Sequence, residues 1–355
     1  MKKIVLTGGG TAGHVTPNLA LLPSLQAAGF LITYMGSYDG IEKRLIEDFG
    51  IPYVGIATGK FRRYLDVKNL TDPFRVIKGY TEARKFLKEY RPDVVFSKGG
   101  FVSVPVVRAA ASLKIPCIIH ESDMTPGLAN KLCFPVAKKI CCNFPETYKM
   151  LPEEKAVLTG TPIRAELAQG NKLAGLEMCG FTANKPVIMV IGGSLGAMNV
   201  NKAVRDALPQ LLEKYQVVHL CGKDKMDNLL LTTPGYKQFE YLKTELKDIF
   251  AMADIVISRA GANAICELLA LRKPNILIPL PASSSRGDQL LNAASFESQG
   301  FSIVLHEDDL TTALLVDKVN ELYENRQNYF DAMEQSGQMD SIPTIMELIQ
   351  KAAGE

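Results

Sequence analysis

Four glycine-rich turns, each following a short β-rich run, are the residues in this 355-residue chain most capable of chemistry. Gly8-Gly9-Gly10-Thr11-Ala12-Gly13-His14 lies between the run Lys3–Thr7 and a helix expected from about Pro17. Glycines there let the backbone turn tightly and approach a ligand, and unpaired N–H groups at a helix start favour phosphate. The run formally satisfies G-x-G-x-x-G, which raises a dinucleotide site. That reading also wants an acid at the end of the second strand, where Met35-Gly36-Ser37 stands with Asp39 only nearby. Ser97-Lys98-Gly99-Gly100-Phe101, Gly192-Gly193-Ser194-Leu195-Gly196-Ala197 and Ser258-Arg259-Ala260-Gly261-Ala262-Asn263 repeat the pattern. None contains the G-x-x-x-x-G-K-[ST] of a P-loop. Four such turns exceed what folding alone is expected to require, and they point to diphosphates.

Other polar groups stand close to these turns. Glu267 lies one helical turn into the segment after Gly261, where a carboxylate can accept two ribose hydroxyl protons. Arg286–Ala293, with Asp288 and Gln289, sets donors and acceptors suited to sugar hydroxyls on another helix start. His14 sits at a glycine turn beside a helix N-terminus, whose positive end is expected to keep the ring neutral and able to act as a base. His120 closes an apolar strand next to Glu121. The seven cysteines include no C-x-x-C pair and read as buried thiols, and four His and seven Cys never cluster at zinc-ligand spacing.

The elements that must carry these groups alternate between β runs and helix-length segments, the pattern of a parallel α/β sheet. Strands are expected at Lys3–Thr7, Leu31–Met35, Val94–Ser97 and Cys117–His120, then at Val187–Ile191, Val217–Cys221, Ile255–Ser258 and Ile276–Pro279. The second half opens as the first does, IVLTGGGTAG against IMVIGGSLGA. Two Rossmann-like domains follow, 1–160 and 161–341, with glycine turns facing a cleft.

Composition narrows the class. An apolar fraction of 47% excludes disorder, and no apolar run is long enough to cross a bilayer. The first residues break into glycines before a signal-peptide core could form, so a soluble cytoplasmic chain is expected. The net charge of +2 conceals an asymmetry: residues 1–160 hold 22 Lys and Arg against 14 Asp and Glu, and the remainder holds 18 against 24. Between Lys60 and Arg91 ten basic residues face four acidic ones, interleaved with Phe61, Tyr64, Phe74, Ile77 and Tyr80. A solvated helix face and a surface resting on anionic lipid are both open on charge alone. No nucleic-acid-binding motif accompanies the run.

Taken together, GGGTAGHVTPNLAL (8–21), SKGGFVSVP (97–105), HESDMTPGLANK (120–131), TGTPIR (159–164), GGSLGA (192–197), SRAGANAICELLA (258–270) and GDQLLNA (287–293) closely resemble the MurG family. These are the peripheral membrane N-acetylglucosaminyltransferases of bacterial peptidoglycan synthesis, and the resemblance is collinear over nearly the whole chain. It implies a GT-B fold: two Rossmann-like domains with parallel sheets facing a deep cleft, the last helix (342–355) packing back on the N-terminal domain. It further implies transfer of GlcNAc from UDP-GlcNAc to the C4 hydroxyl of MurNAc in lipid I, giving lipid II and UDP with inversion. Family donor contacts fall on Thr11, Ala12, Gly13, Arg164, Ser194, Ala262, Asn263, Glu267, Asp288 and Gln289, with uracil met by main chain near Lys243. Gly8, Gly9, Gly10, Gly99 and Gly100 are implied to cradle the acceptor diphosphate.

One departure bears on the base. Some family members carry Asn where this chain has Asp123, so the acceptor proton has two candidate takers, His14 first and Asp123 second. No D-x-D motif precedes the donor turns, so metal-independent chemistry is expected, with no cofactor beyond the substrate. An undecaprenyl-linked acceptor turns the basic stretch into a membrane surface built on Phe61, Arg62, Arg63, Tyr64 and Lys68, on the cytoplasmic face of the membrane and with no role for nucleic acid. A nicotinamide-dependent oxidoreductase, a GT-B enzyme with another acceptor, a UDP-GlcNAc epimerase and a membrane-docking scaffold are the competing readings.

Overall fold

The structure, a computed structural model, describes residues 1–59, 68–193, 196–283, 287–336 and 341–354, with the backbone alone for 68–73. The chain divides into two compact units, Met1–Ile163 with Asp340–Glu355, and Arg164–Met339. Each is a wholly parallel sheet among helices.

The first unit holds β1 (Lys3–Thr7), β2 (Leu31–Ser37), β3 (Tyr53–Ile56), β4 (Val94–Ser97), β5 (Cys117–Glu121), β6 (Lys139–Cys142) and β7 (Ala156–Leu158), in the order 3-2-1-4-5-6-7. The second holds β8 (Val187–Ile191), β9 (Gln216–Leu220), β10 (Tyr236–Phe239), β11 (Ile255–Ser258), β12 (Asn275–Leu277) and β13 (Ser302–Val304), in the order 10-9-8-11-12-13. In both sheets the strand order reverses beside the first strand. Thr7 pairs with Ser97 and Ile191 with Ser258, so the glycine turns after β1 and β4, and after β8 and β11, lie side by side. Parallel α/β sheets bind ligands at such a switch point.

The eight expected strands form with ends shifted by at most two residues. The five unforeseen ones (β3, β6, β7, β10 and β13) are three or four residues long, too short for a pattern to declare itself. β12 stops at Leu277, ahead of Pro279, which has no N–H for a ladder.

Central strands are continuous apolar runs, because both faces are covered. Ile4, Leu6, Phe96 and Ile118 are fully buried on one side of the first sheet, Val5, Val95 and Ile119 on the other. The helix Met198–Lys214 buries Val200, Val204, Ala207, Leu208 and Leu211, one stripe of 3.6-residue period, against the second sheet. The closing helix Ile342–Ala352 places Ile345, Met346 and Ile349 in the core around Ile4, Leu21 and Ile118, within the first unit. All seven cysteines are buried and none is in a disulfide, and burial pushes Cys117, Cys133, Cys141, Cys142 and Cys179 up to about 12.

Candidate active site

In the first unit the glycine turn is braced from beneath. Asn18 Nδ2 donates to Thr7 O (3.1 Å) and to the Tyr34 hydroxyl (3.2 Å), and Tyr34 donates to Gly8 O at 2.8 Å. The buried Glu42 carboxylate accepts from Gly10 N (3.2 Å), from Ser37 N (3.0 Å) and from the Ser37 hydroxyl. An acid therefore does reach the turn, from the helix after β2, but it is spent on the turn itself. The Gly99 amide donates to Ser97 Oγ at 3.2 Å. Two of the five amides assigned to the acceptor diphosphate, Gly10 and Gly99, thus already have protein partners.

Thr11, Ala12 and Gly13 lead through a single 3-10 turn, Ala12–His14, into the helix Thr16–Ala27, and Thr11 is exposed. All three lie in the first unit, whereas the other assigned donor residues lie in the second. The His14 ring packs where a Cβ on Gly100 would stand 2.6 Å from its Cδ2. Its pKa falls to about 4, chiefly by burial and then by the Lys98 ammonium, with Glu42 opposing. The ring is neutral at pH 7 as expected, with desolvation and Lys98 as the leading causes.

Lys98 is buried after β4, and its Nζ lies 2.8 Å from His120 Nδ1 and bonds to the Ser122 hydroxyl. A lysine ammonium only donates, so Nδ1 accepts and Nε2 carries the proton, which points to Gly160 O at 2.8 Å. Burial and Lys98 hold His120 well below its ordinary value. Buried Glu121 organises the following loop: Oε1 accepts from Asp123 N (3.0 Å), and Oε2 from Gly127 N (3.0 Å) and Asn130 Nδ2 (2.9 Å). Asp123 is half-buried on that loop.

In the second unit Arg164 Nη2 and Glu267 Oε1 lie 3.8 Å apart, with side chains 26% and 17% exposed. Burial raises the Glu267 carboxyl and Arg164 partly offsets that. Arg164 Nε is buried with no hydrogen-bond partner among the described residues. Glu267 rides on the helix Ala262–Ala270, capped by Gly261 without any side-chain bond. Gly261 has φ −68°, and a Cβ there would meet nothing within 4 Å. Ala262 and Asn263 form the first turn above this open space, half-buried.

The neighbouring turns complete this face. Gly193, at φ +84°, likewise has open space where its Cβ would stand, ahead of the helix Met198–Lys214, whose N-cap Ala197 offers no side-chain bond. Asp288 and Gln289 open the helix Asp288–Ser298, and Gln289 Oε1 is taken by Leu280 N at 3.1 Å. Buried Arg259 braces the turns by pairing with Glu307 and donating to Ile278 O (3.0 Å) and Pro279 O (3.2 Å). Asn292 Nδ2 ties the Asp288 helix to Ala260 O at 3.1 Å.

Ser194, Phe61, Arg62, Arg63 and Tyr64 lie outside the described residues, as does the side chain of Lys68. Farther along the helix Lys68–Tyr90, Phe74 and Ile77 are 73% and 61% exposed. A groove of about 290 Å³ lined by Ile77, Tyr80, Val104, Pro105, Arg108 and Leu132 runs beside them. Among the described residues no helix is long and apolar enough to cross a membrane, and no three His, Cys, Asp or Glu side chains gather as a metal site would require.

Comparison with known proteins places this geometry. The glycosyltransferase family 28 N-terminal domain matches residues 4–142, and the family 28 C-terminal domain matches residues 187–349. The chain belongs to glycosyltransferase family 28. A Lachnospira eligens relative is 65% identical over 349 residues, 98% of this chain and 99% of its own, and one from Lachnoclostridium phytofermentans is 63% identical over 351 residues, 99% of each. Both bear the name UDP-N-acetylglucosamine–N-acetylmuramyl-(pentapeptide) pyrophosphoryl-undecaprenol N-acetylglucosamine transferase. The crystal structure of Acinetobacter baumannii MurG matches with a TM-score of 0.79 at 28% identity, covering 99% of this chain and all of that one. A UDP-GlcNAc 2-epimerase from Neisseria meningitidis, 13% identical with a TM-score of 0.67, shares the fold alone.

In this glycosyltransferase the assigned residues gather into two sets, one per unit. His14, Gly8–Gly10, Gly99–Gly100 and Asp123 stand at the ends of β1, β4 and β5, while Arg164, Gly261–Asn263 and Glu267 cluster around the end of β11. Sequence reasoning gave no role to Asn18, Tyr34, Glu42, Lys98, Glu121 or Asn292. Only Lys98 carried a signal, being a lysine between a strand and a glycine pair.

Proposed function

We propose that this glycosyltransferase moves N-acetylglucosamine from UDP-GlcNAc to the C4 hydroxyl of the N-acetylmuramyl unit of undecaprenyl-pyrophosphoryl-MurNAc-pentapeptide, in peptidoglycan synthesis. The products are UDP and the lipid-linked disaccharide, with inversion at the anomeric carbon. The observation that carries the reading is the Arg164–Glu267 pair beside the open Gly261 helix start. A carboxylate for ribose hydroxyls and a cation with an orphaned Nε for the diphosphate are together what a nucleotide sugar requires. The names of the relatives supply the sugar and the acceptor.

The roles follow from this geometry. As the C4 oxygen attacks the anomeric carbon, neutral His14 takes its proton, and the C1–O bond electrons leave on the β-phosphate of UDP. A base with a pKa near 4 is weak, but an acceptor diphosphate beside the glycine turns offsets the Lys98 field and raises it. Asp123 is the second candidate base. Arg164 and the amides at the start of the Gly261 helix stabilise the leaving phosphate, which makes the chemistry metal-independent in this reading. Asp288 and Gln289 meet the sugar hydroxyls, Gln289 through its amide nitrogen because its oxygen is occupied.

The acceptor is membrane-bound, so the enzyme works peripherally, on the cytoplasmic face, with no nucleic-acid partner. Exposed Phe74 and Ile77 among the basic residues of the Lys68–Tyr90 helix support that docking surface. Release of UDP from UDP-GlcNAc with a short-chain acceptor analogue tests the reading. Turnover is expected to depend on the acceptor and to survive chelator. Glu267→Ala should raise chiefly the donor KM, and His14→Ala should lower kcat by about 10²- to 10⁴-fold. Tight UDP-GlcNAc binding with no transfer would leave the donor site standing and dismiss the acceptor.

A further inference from the structure

A continuous line of buried polar groups runs from the second glycine turn to the segment that delivers Arg164. Lys98 holds His120 and Ser122, and His120 Nε2 donates to Gly160 O at 2.8 Å. Asn143 Nδ2 donates to Ser122 O (2.9 Å), while Asn143 Oδ1 accepts from the Thr161 hydroxyl at 2.7 Å. The amides of Thr159 and Gly160 are fixed on Cys142 O at 3.0 and 3.1 Å. Lys98 and His120 are at most 1% exposed, and Ser122, Asn143 and Thr161 at most 8%. Burying an ammonium, an imidazole and an amide in a sheet protein costs stability unless each is bonded, so such a line stays intact or fails as a unit. It grips Thr159–Thr161 from two sides, and Arg164 follows three residues later.

We propose that Lys98, through His120 and Asn143, is a positioning residue for the donor cation: it fixes the 159–161 segment, hence where Arg164 stands beside Glu267, hence the affinity for the nucleoside diphosphate. The inference rests on the donor site described above and adds a dependence that site does not contain, since Lys98 belongs to the unit carrying the acceptor turns. By linkage, an anion seated on the Gly99–Gly100 turn beside Lys98 then changes donor affinity by the factor with which donor changes its own.

UDP binding by calorimetry to the full chain tests it, with no acceptor present. Lys98→Met removes the donor that fixes the His120 tautomer, and Thr161→Val removes one hydroxyl at nearly constant shape, so the second variant remains informative if the first folds poorly. Each is expected to weaken UDP about three- to thirtyfold. In an Arg164→Ala background both should lose their effect. Unchanged UDP affinity in both single variants, or equal weakening in the Arg164→Ala background, overturns the inference and leaves the donor site untouched. Failure of the unsubstituted chain to bind UDP overturns the donor site and this inference with it.

Discussion

At the ends of β1 and β4 the backbone meets protein at Gly8, Gly9, Gly10, Gly99 and Gly100. A Cβ on Gly9 would strike the Glu42 carboxyl at 2.5 Å, one on Gly10 the Phe101 ring at 2.5 Å, and one on Gly99 the Asn130 amide at 3.0 Å. At the ends of β8 and β11, Gly193 and Gly261 look onto space empty of described atoms, whereas a Cβ on Gly192 would stand 2.7 Å from Ala197 N and one on Gly196 would strike Cys221 O. The same residue type thus answers two needs. In the first unit glycine lets two turns pack on each other and on Glu42, Phe101 and His14. In the second, Gly193 and Gly261 keep a volume clear in front of helix starts, where a Cβ would meet no described atom, although Gly193 at φ +84° still favours glycine for its backbone. The expectation that all four turns exceed folding requirements therefore fails for the first pair and for Gly192 and Gly196 of the third turn, and the glycine count alone could not have separated them.

The comparison is broken or kept most directly by adding a methyl group on each side. Gly100→Ala, at φ +82° with its Cβ driven into Gly9 O and the His14 ring, should cost about 3 kcal/mol or more in thermal unfolding. Gly261→Ala should cost no more than about 1 kcal/mol, as an ordinary N-cap change, yet weaken UDP at least about tenfold in calorimetry. Similar stability losses at both positions would remove the distinction.

The two carboxylates sharpen it at smaller amplitude. Glu42→Gln replaces an acceptor of three donors in the first turn and should destabilise by about 1–3 kcal/mol. Glu267→Gln relieves a buried charge and should leave the melting temperature unchanged or slightly higher, while raising the donor KM about five- to tenfold. Loss of stability at Glu267 equal to that at Glu42 would mean that both acids are structural.

A further test is a pH dependence. Burial lowers His14 to about 4 and His120 well below its ordinary value in the first unit, and His219 to about 3 in the second. Each binds its proton more readily when unfolded, so stability is full above about pH 6.5 and falls as pH drops towards the folded values, by at most about 1.4 kcal/mol per unit per group. Glu267 acts oppositely, because a raised folded pKa gains stability as pH falls. The first unit should therefore lose hydrogen-exchange protection before the second between about pH 6 and 4.5. Simultaneous loss, or earlier loss in the second unit, would show that other groups dominate acid unfolding.

Much of the architecture was legible in the residues. Runs such as IVLT and VIMVI declare buried parallel strands because a strand covered on both faces must be apolar throughout, and glycine after such a run marks the turn. Glu267 was legible from its place after a glycine turn and Arg164 through the family resemblance, and the geometry brings the two to 3.8 Å. The braces were not. Glu42 is an unremarkable helix charge in the sequence, 32 residues from the Gly10 amide it accepts, and His120 is 40 residues from the carbonyl that takes its proton.

The sequence by itself determined two parallel α/β units, their central strands, the glycine turns and the family to which the chain belongs, because hydrophobic periodicity and turn chemistry are local properties. Only the tertiary structure decided which glycines make room for protein and which for ligand, that His14 is neutral through burial and Lys98, and that a buried polar line joins Lys98 to the segment before Arg164. Those outcomes depend on desolvation and on partners brought together across tens of residues, and neither quantity exists until the sheets have formed.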